Sequence, residues 1–383
     1  MVGTVGVAVT CTLVCTAVFA GSARAQGTLS SQSLGYPPGQ LSTRAEGTAG
    51  ALGDIDGRSP INPAALVLRP VPEVYAQYDP ELRSVTGPGG TSSTTTARFP
   101  NVGVVLPVNR RFVMGASAST LLDRTWATQT DRTQMFGTES VSSTESLRSE
   151  GGITDLRLAA GYTPVGRLRV GLGLHGYTGS TRVTSRDVFA DTLRYRNISQ
   201  TTSLSYSGTA ISGGLIFDIV PQLSVAVSAR KGGSATMYAG DSVLSHGRIP
   251  DRYSGTVSFQ GLPGTLIAVR GSRERWTEIA SLSTLKTPGV DATDYSVGLE
   301  SAGPRVGGLP LLIRAGARRR TLPFTIPGMT SDITETSFGG GLGVPIALDR
   351  VTLDLAVLRS SRTGVAGIQE HAYNLSFGLQ VHP

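Results

Sequence analysis

The sequence predicts an all-β fold, a 14-stranded antiparallel transmembrane β-barrel preceded by a small helical segment. Three observations point there. From about residue 70 to the end the chain alternates with period two, giving each strand one apolar face and one small, polar or charged face. The connections alternate between short turns and long polar loops, as in an up-and-down barrel with turns on one side of a membrane and loops on the other. The composition suits such a wall, with 49 glycines and only 16% charged residues in a chain of 383.

In chain order, Met1 to Ala25 reads as a secretory signal. Val7 to Ala20 is mostly apolar, and Ala23-Arg24-Ala25 supplies small residues for cleavage before Gln26. Both cysteines, Cys11 and Cys15, lie in this stretch, so the mature chain is expected to hold no disulfide and no thiolate site. That suits passage through an oxidising periplasm. Losing Arg24 with the signal takes the formal charge from +7 to +6. The arginines are dispersed through strands and loops apart from the cluster Arg318-Arg319-Arg320, so nucleic acid is not an expected partner.

Gln26 to Gly39, with Pro37-Pro38, reads as an extended polar lead-in. Ser42 to Leu52 is expected to be helical, Thr43 and Glu46 standing at capping-box spacing. Gly53 to Gly57, with Asp54 and Asp56, reads as a turn. Asn62 can cap a second helix that begins at Pro63. The expected division is a signal over 1–25, an N-terminal segment over 26–68 and a barrel over 69–383.

The period-two region divides into fourteen expected strands, at 70–79, 99–108, 111–124, 152–163, 167–180, 203–219, 222–233, 252–261, 264–276, 293–302, 309–320, 332–345, 350–361 and 369–381. Long polar loops are expected at 80–98, 125–151, 181–202, 234–251, 277–292, 321–331 and 362–368. The last strand shows the pattern most plainly: Tyr373, Leu375, Phe377, Leu379 and Val381 alternate with Asn374, Ser376, Gly378 and Gln380. The faces opposite the apolar ones carry Asp155, Arg157, His175, Arg230, Arg270, Glu300, Arg314 and Asp354. A soluble sandwich would turn these into water and place larger aromatics inside. Here the apolar faces are mainly Leu, Val, Ala and Gly with Tyr and Phe near strand ends, the pattern of a lipid-facing band.

A fourteen-strand barrel with Ala45 to Asp54 rich in small residues, followed by Asn62-Pro63-Ala64-Ala65-Leu66, resembles the FadL family of outer-membrane transporters of long-chain fatty acids and other hydrophobic compounds. The resemblance implies that the N-terminal segment is a hatch in the barrel lumen, with Asn62, Pro63 and Ala64 at its gating turn. It implies a hydrophobic small-molecule ligand that binds first among the outer loops and then deeper. Hatch movement would open a passive route, with lateral exit through a gap in the wall. The setting it implies is outer-membrane lipid and lipopolysaccharide, insertion by barrel-assembly machinery, and a monomer. The chain departs from the family in having Ile61 before the Asn, loops poor in Phe, and His382-Pro383 in place of a terminal aromatic.

On one strand Arg314, Arg318 and Arg320 share a face, and a carboxylate ligand in a low-dielectric channel needs such a partner. The structural reading of the same residues is an arginine ladder paired with Glu300, Asp354 or Asp155 that holds the hatch. Arg157 and His175 are further candidate lumen contacts, with His175 read first as a polar wall residue. The alternatives to transport are a structural or adhesive barrel with a static plug, and a lipid-modifying barrel. No cofactor and no enzymatic activity is expected, because no metal-spaced cluster, phosphate loop or dinucleotide fingerprint stands in the sequence. Gly339-Gly340-Gly341 reads as a kink or a close approach of the hatch.

Overall fold

A computed structural model describes residues 24–26, 35–87, 90–136, 139–191, 193–282, 289–306, 309–325, 332–346, 350–365 and 367–383. Fourteen antiparallel wall strands form one closed barrel. They are β1 (Glu73–Gly87), β2 (Gly90–Arg98 and Asn101–Pro107), β3 (Phe112–Asp123 and Trp126–Phe136), β4 (Glu139–Val165), β5 (Leu168–Phe189), β6 (Ile198–Val220) and β7 (Leu223–Ala239). Then follow β8 (Ser242–Arg248 and Asp251–Leu262), β9 (Thr265–Arg275), β10 (Ala292–Val306), β11 (Leu309–Thr321), β12 (Thr334–Ile346), β13 (Val351–Val365) and β14 (Ile368–Val381). Each strand pairs with the next, and β14 closes onto β1 from Gln369↔Thr86 to Val381↔Val74. Closure leaves no sheet edge inside the membrane, where an unpaired backbone group would cost several kcal/mol.

The burial pattern is inverted relative to a soluble protein. The outward face of β4 and β5 exposes Leu158 (66%) and Leu172 (74%), while Asp155 on the inward face is 0% exposed. Arg230, Arg270, Arg314 and Asp354 are likewise buried in the lumen. Lipid is the solvent that makes this arrangement favourable. Leu174 lies on the outer face opposite Leu158. Leu174→Lys is expected to destabilise the folded barrel by about 2–4 kcal/mol, read as a lowered temperature for the loss of heat-modifiable mobility. An unchanged temperature would contradict the lipid-facing assignment.

The expected strands match these fourteen one to one, but five expected loops do not, the shortest being 362–368, where β13 runs on to Val365 and β14 starts at Ile368. Residues 80–98, 125–151, 181–202 and 234–251 largely continue the strands as tall hairpins. In these extensions the outward face meets water in place of lipid, so polar residues replace the outward apolar ones and the alternation fades while the ladder continues. Thr-rich runs such as Thr94-Thr95-Thr96 favour this extended state. The 277–292 connection begins with a 3-10 turn, Thr277–Leu282. Its remainder at 283–288, and 326–331 of the next loop, lie outside the described residues. So does the expected signal, apart from its last two residues, which with Gln26 pair with residues 127–129 of β3.

Residues 35–69 fill the lumen. They carry one short helix, α1 (Thr43–Gly47), and a 3-10 turn, Pro63–Leu68. The cap of α1 is Ser42, whose Oγ accepts the Ala45 N–H at 3.1 Å. The expected capping box of Thr43 and Glu46 is not formed, because both side chains turn to the wall. Thr43 Oγ1 lies 2.8 Å from Ser376 Oγ, and Glu46 accepts from Asn374 Nδ2 at 3.0 Å. The helix also stops earlier than its sequence suggests. Ala49 and Gly50 adopt left-handed φ values of 51° and 96°, which end the helical ladder. The expected polar lead-in, described from Gly35 to Gly39, is buried at Gly35, Tyr36 and Pro37, with Tyr36 8% exposed.

Candidate functional site

The lumen contacts stack in layers. At the lowest, Asn62 caps the 3-10 turn, its Oδ1 accepting the Ala64 N–H at 2.9 Å. Asn62, Pro63 and Ala64 sit against inward glycines of the wall. A Cβ on Gly214 would land on Asn62 Oδ1, and one on Gly171 would land on the Pro63–Ala64 peptide. Higher up, a Cβ on Gly316 would strike the Thr48 carbonyl, and Cβ atoms on Gly339 and Gly341 would meet Glu46 O at 2.9 Å and Gly47 Cα at 3.0 Å. The triple glycine of β12 is thus a close approach between wall and inner segment. Glycine allows it because no side chain separates the two backbones.

Buried charges pin the segment in place. Asp54 Oδ1 accepts from Ser228 at 2.8 Å and Ser254 at 2.5 Å. Its Oδ2 accepts from Thr256 at 3.0 Å and from Arg270 Nε at 2.9 Å. Burial alone would raise the Asp54 pKa, but Arg270 and the serine hydroxyls outweigh it and hold the carboxyl below its usual range. Asp56 accepts from the Ser42 hydroxyl and faces Arg58 at 3.6 Å and Arg44 at 3.7 Å. Arg44 reaches Glu300 at 2.6 Å, and Arg58 reaches Glu73 at 2.8 Å. Gln40 bridges four strands: its Nε2 donates to Ser119 and Asp155, and its Oε1 accepts from Arg230 and Arg252.

The arginine ladder has the partners one would expect at one rung and different ones at the others. Arg314 binds Glu300 at 2.7 Å and Asp354 at 2.6 Å. Arg318 takes Asp294 at 2.6 Å, and Arg320 takes Glu335 at 2.6 Å. Asp155 instead receives His175. Arg320 also joins a cage around Tyr36, whose ring centre lies 4.6 Å from the Arg362 guanidinium, 5.1 Å from Arg320, 5.2 Å from Arg98 and 5.8 Å from Arg83. Glu81, Asp123, Glu335 and Glu370 neutralise these four cations. Arg157, by contrast, is buried, and among the described residues neither its Nε nor its Nη2 has a hydrogen-bond partner.

Towards the loops the lumen becomes apolar. Trp276, Ile279 and Leu282 pack with Leu322 and Phe324 onto inward side chains such as Leu122, Tyr206 and Met237 in one buried cluster. A second apolar feature lies on the lipid side of the wall, a groove of about 590 Å³ across β2 to β5 lined by Val102, Val104, Leu156, Leu158 and Leu174 among others.

The carriers of this geometry that sequence reading missed are Tyr36, Gln40, Asp54 and Asp56. Asp54 and Asp56 stood there as turn residues. Their burial could have been suspected from charges set in a run of small residues, but their partners could not.

Fold and burial together define a transmembrane barrel of the outer-membrane type whose lumen is filled by its own N-terminal segment. The fold is that of the FadL homologues. A Pseudomonas aeruginosa FadL homologue superposes with a TM-score of 0.61 at 12% identity, over 91% of this chain and 99% of that one. The CymD monoaromatic hydrocarbon channel gives 0.56 at 14%, over 90% and 97%. The toluene transporter TodX of Pseudomonas putida gives 0.54 at 14%, over 84% and 92%. No protein-family model matches the sequence, and no curated protein does.

Proposed function

We propose that this chain is a passive outer-membrane channel for hydrophobic small molecules, long-chain fatty acids among them, with residues 26–68 as a movable hatch. The observation that carries the reading is a closed membrane barrel blocked by a segment of its own chain, seated on wall glycines through separable polar contacts. The structures of similar fold include a hydrocarbon channel and a toluene transporter, which supports a cargo of this kind. The apolar cluster beneath the loops is the receiving surface once the loops part. The outer groove over β2 to β5, floored by small residues such as Gly103 and Ala116, supports a lateral exit into lipid. Asn62, Pro63 and Ala64 form the turn that must release the wall. Arg314, Arg318 and Arg320 are satisfied by acids, which supports a role in seating the hatch over one in holding ligand.

The proposed setting is a monomer in outer-membrane lipid and lipopolysaccharide, inserted by barrel-assembly machinery. Its ring of strands is complete without a second copy. No catalytic step enters this reading. The alternative of a structural barrel with a static plug draws support from the buried ion pairs Arg44–Glu300 and Asp54–Arg270.

Uptake of labelled fatty acid or toluene by cells with and without the protein separates the two. Asn62→Ala removes a cap worth about 1 kcal/mol and is expected to change the uptake rate by about fivefold. Equal uptake with and without the protein, together with an unaltered rate for Asn62→Ala, would leave the static barrel standing for those substrates.

A further inference from the structure

Asp155 and Arg157 share the inward face of β4, with Gly173 and His175 on β5 and Ser212 on β6 brought beside them by the register. His175 Nδ1 lies 2.8 Å from Asp155 Oδ1, and His175 Nε2 lies 2.8 Å from Ser212 Oγ. With its proton on Nδ1, the imidazole donates to Asp155 and accepts the Ser212 hydroxyl proton at Nε2. Asp155 is further fixed by Gln40 at 2.9 Å and Tyr177 at 3.1 Å, both donating to Oδ2. Over Gly173 three groups converge: the point where a Cβ would stand is 2.5 Å from Ser212 Oγ, 3.2 Å from Arg157 Nε and 3.5 Å from His175 Nε2. The Arg157 donors Nε and Nη2 have no hydrogen-bond partner among the described residues. A hydroxyl bonded to a base, the base bonded to an acid, and free donors beside the hydroxyl are the parts of an acyl-transfer site.

We propose that Ser212, His175, Asp155 and Arg157 form a hydrolytic site for lipophilic carboxylic esters. The four side chains face the lumen and are buried, so the ester reaches them from the lumen side, where Leu66, Tyr75, Val105 and Ala159 lie with Arg157 around one cavity and offer its hydrocarbon part an apolar surface. Ser212 Oγ adds to the ester carbonyl carbon while His175 Nε2 takes the hydroxyl proton. Arg157 Nε–H and Nη2–H hold the oxyanion. The carbon–oxygen bond to the alcohol breaks, and His175 returns the proton to the leaving alkoxide. A water then attacks the acyl-serine with His175 again as base, and the bond to Ser212 breaks. The sum is ester plus water giving carboxylic acid plus alcohol. Asp155 acts through His175 as a positioning residue. The site draws its substrate from the lumen of the proposed channel and rests on that reading, while ester hydrolysis is a second activity beside passage.

The full chain, purified in detergent, is treated with an alkyl fluorophosphonate, and the adduct is mapped by mass spectrometry. Hydrolysis of p-nitrophenyl octanoate is followed alongside, and folding of each variant is checked by heat-modifiable mobility. The expected result is a single adduct on Ser212, and a loss of at least about 100-fold in ester hydrolysis in Ser212→Ala and His175→Gln. Arg157→Met is expected to lower the rate with KM little changed. Asp155→Asn is expected to displace the midpoint of the pH–rate profile, which a purely structural role would leave in place. A folded wild-type protein without the Ser212 adduct, or hydrolysis equal in wild type and Ser212→Ala, overturns the proposal and leaves a hydrogen-bonded wall.

Discussion

Asp54→Ala is expected to unseat the inner segment, at a cost of about 3–5 kcal/mol to its docked state. The carboxylate is fully buried and receives four donors from β7, β8 and β9. Removing it leaves Arg270 with Asp294 at 3.3 Å, and takes the carboxylate acceptor from three hydroxyls, of which Ser228 and Ser254 keep their contact with each other at 2.8 Å. The readout is single-channel conductance in a planar bilayer, where the variant is expected to pass ions that the wild type blocks. The same contact has a definite pH signature. Because the folded pKa of Asp54 is lowered, its stabilisation is complete above the unfolded carboxylate value of about 3.9 and is lost as pH falls through the folded value. Glu46 has the opposite sign. Burial first, and then the neighbouring Asp79 carboxylate, push it well above its usual range. Its contribution is therefore complete below about 4.3 and fades as pH rises through the folded value. The closed state is expected to be tightest in mild acid and to loosen at both extremes. Glu46→Gln, which keeps the protonated shape at every pH, is expected to remove the loosening on the alkaline side. Conductance that is flat from pH 3 to 8 in the wild type would refute this account of the seating.

The wall was legible in the sequence because its information is local. Lipid on one side and a crowded lumen on the other write themselves into every second residue, as in Leu156, Leu158 and Leu172, Leu174. Where that asymmetry ends, at the level of Arg182 to Ser203, the pattern fades and strands read as loops. The lumen was far less legible, because its contacts join residues remote along the chain. Asp54 meets Ser228 and Arg270 at separations of 174 and 216 residues. Tyr36, in a segment that reads as a polar lead-in, stacks among arginines from four wall strands. Ser212, between Ile211 and Gly213, reads as one more small residue facing inward. Only the register of β5 against β6 shows that it meets His175. The arginine face of β11 was visible, but the identity of its acids depended on which strands flank it, so Glu300 and Asp354 could be named while Asp294 and Glu335 could not.

Gly214→Val is expected to open the lumen with every residue of the inner segment left unsubstituted. A side chain at this position projects inward to where Asn62 Oδ1 lies and also meets Pro63 Cδ at 3.1 Å. The Asn62 side chain cannot simply swing aside, because the same oxygen caps the turn by accepting from Ala64. Nor can the turn slide sideways, since Gly171 on the adjacent strand is in equally close contact with Pro63 and Ala64. Overpacking of this kind costs about 1–3 kcal/mol. Directed at one docked contact, it corresponds to about a 5- to 150-fold rise in the open population. The wall itself has no reason to fail, because valine suits an extended strand better than glycine does. The neighbouring position supplies the control. Gly213 points outward, and a Cβ there would have nothing closer than 3.9 Å, so Gly213→Val is expected to keep the pore closed. Conductance of the two variants in the same bilayer distinguishes a segment seated by wall glycines from one seated by its charges alone. If Gly214→Val stays as tight as Gly213→Val, the charges suffice and the glycine bed is incidental.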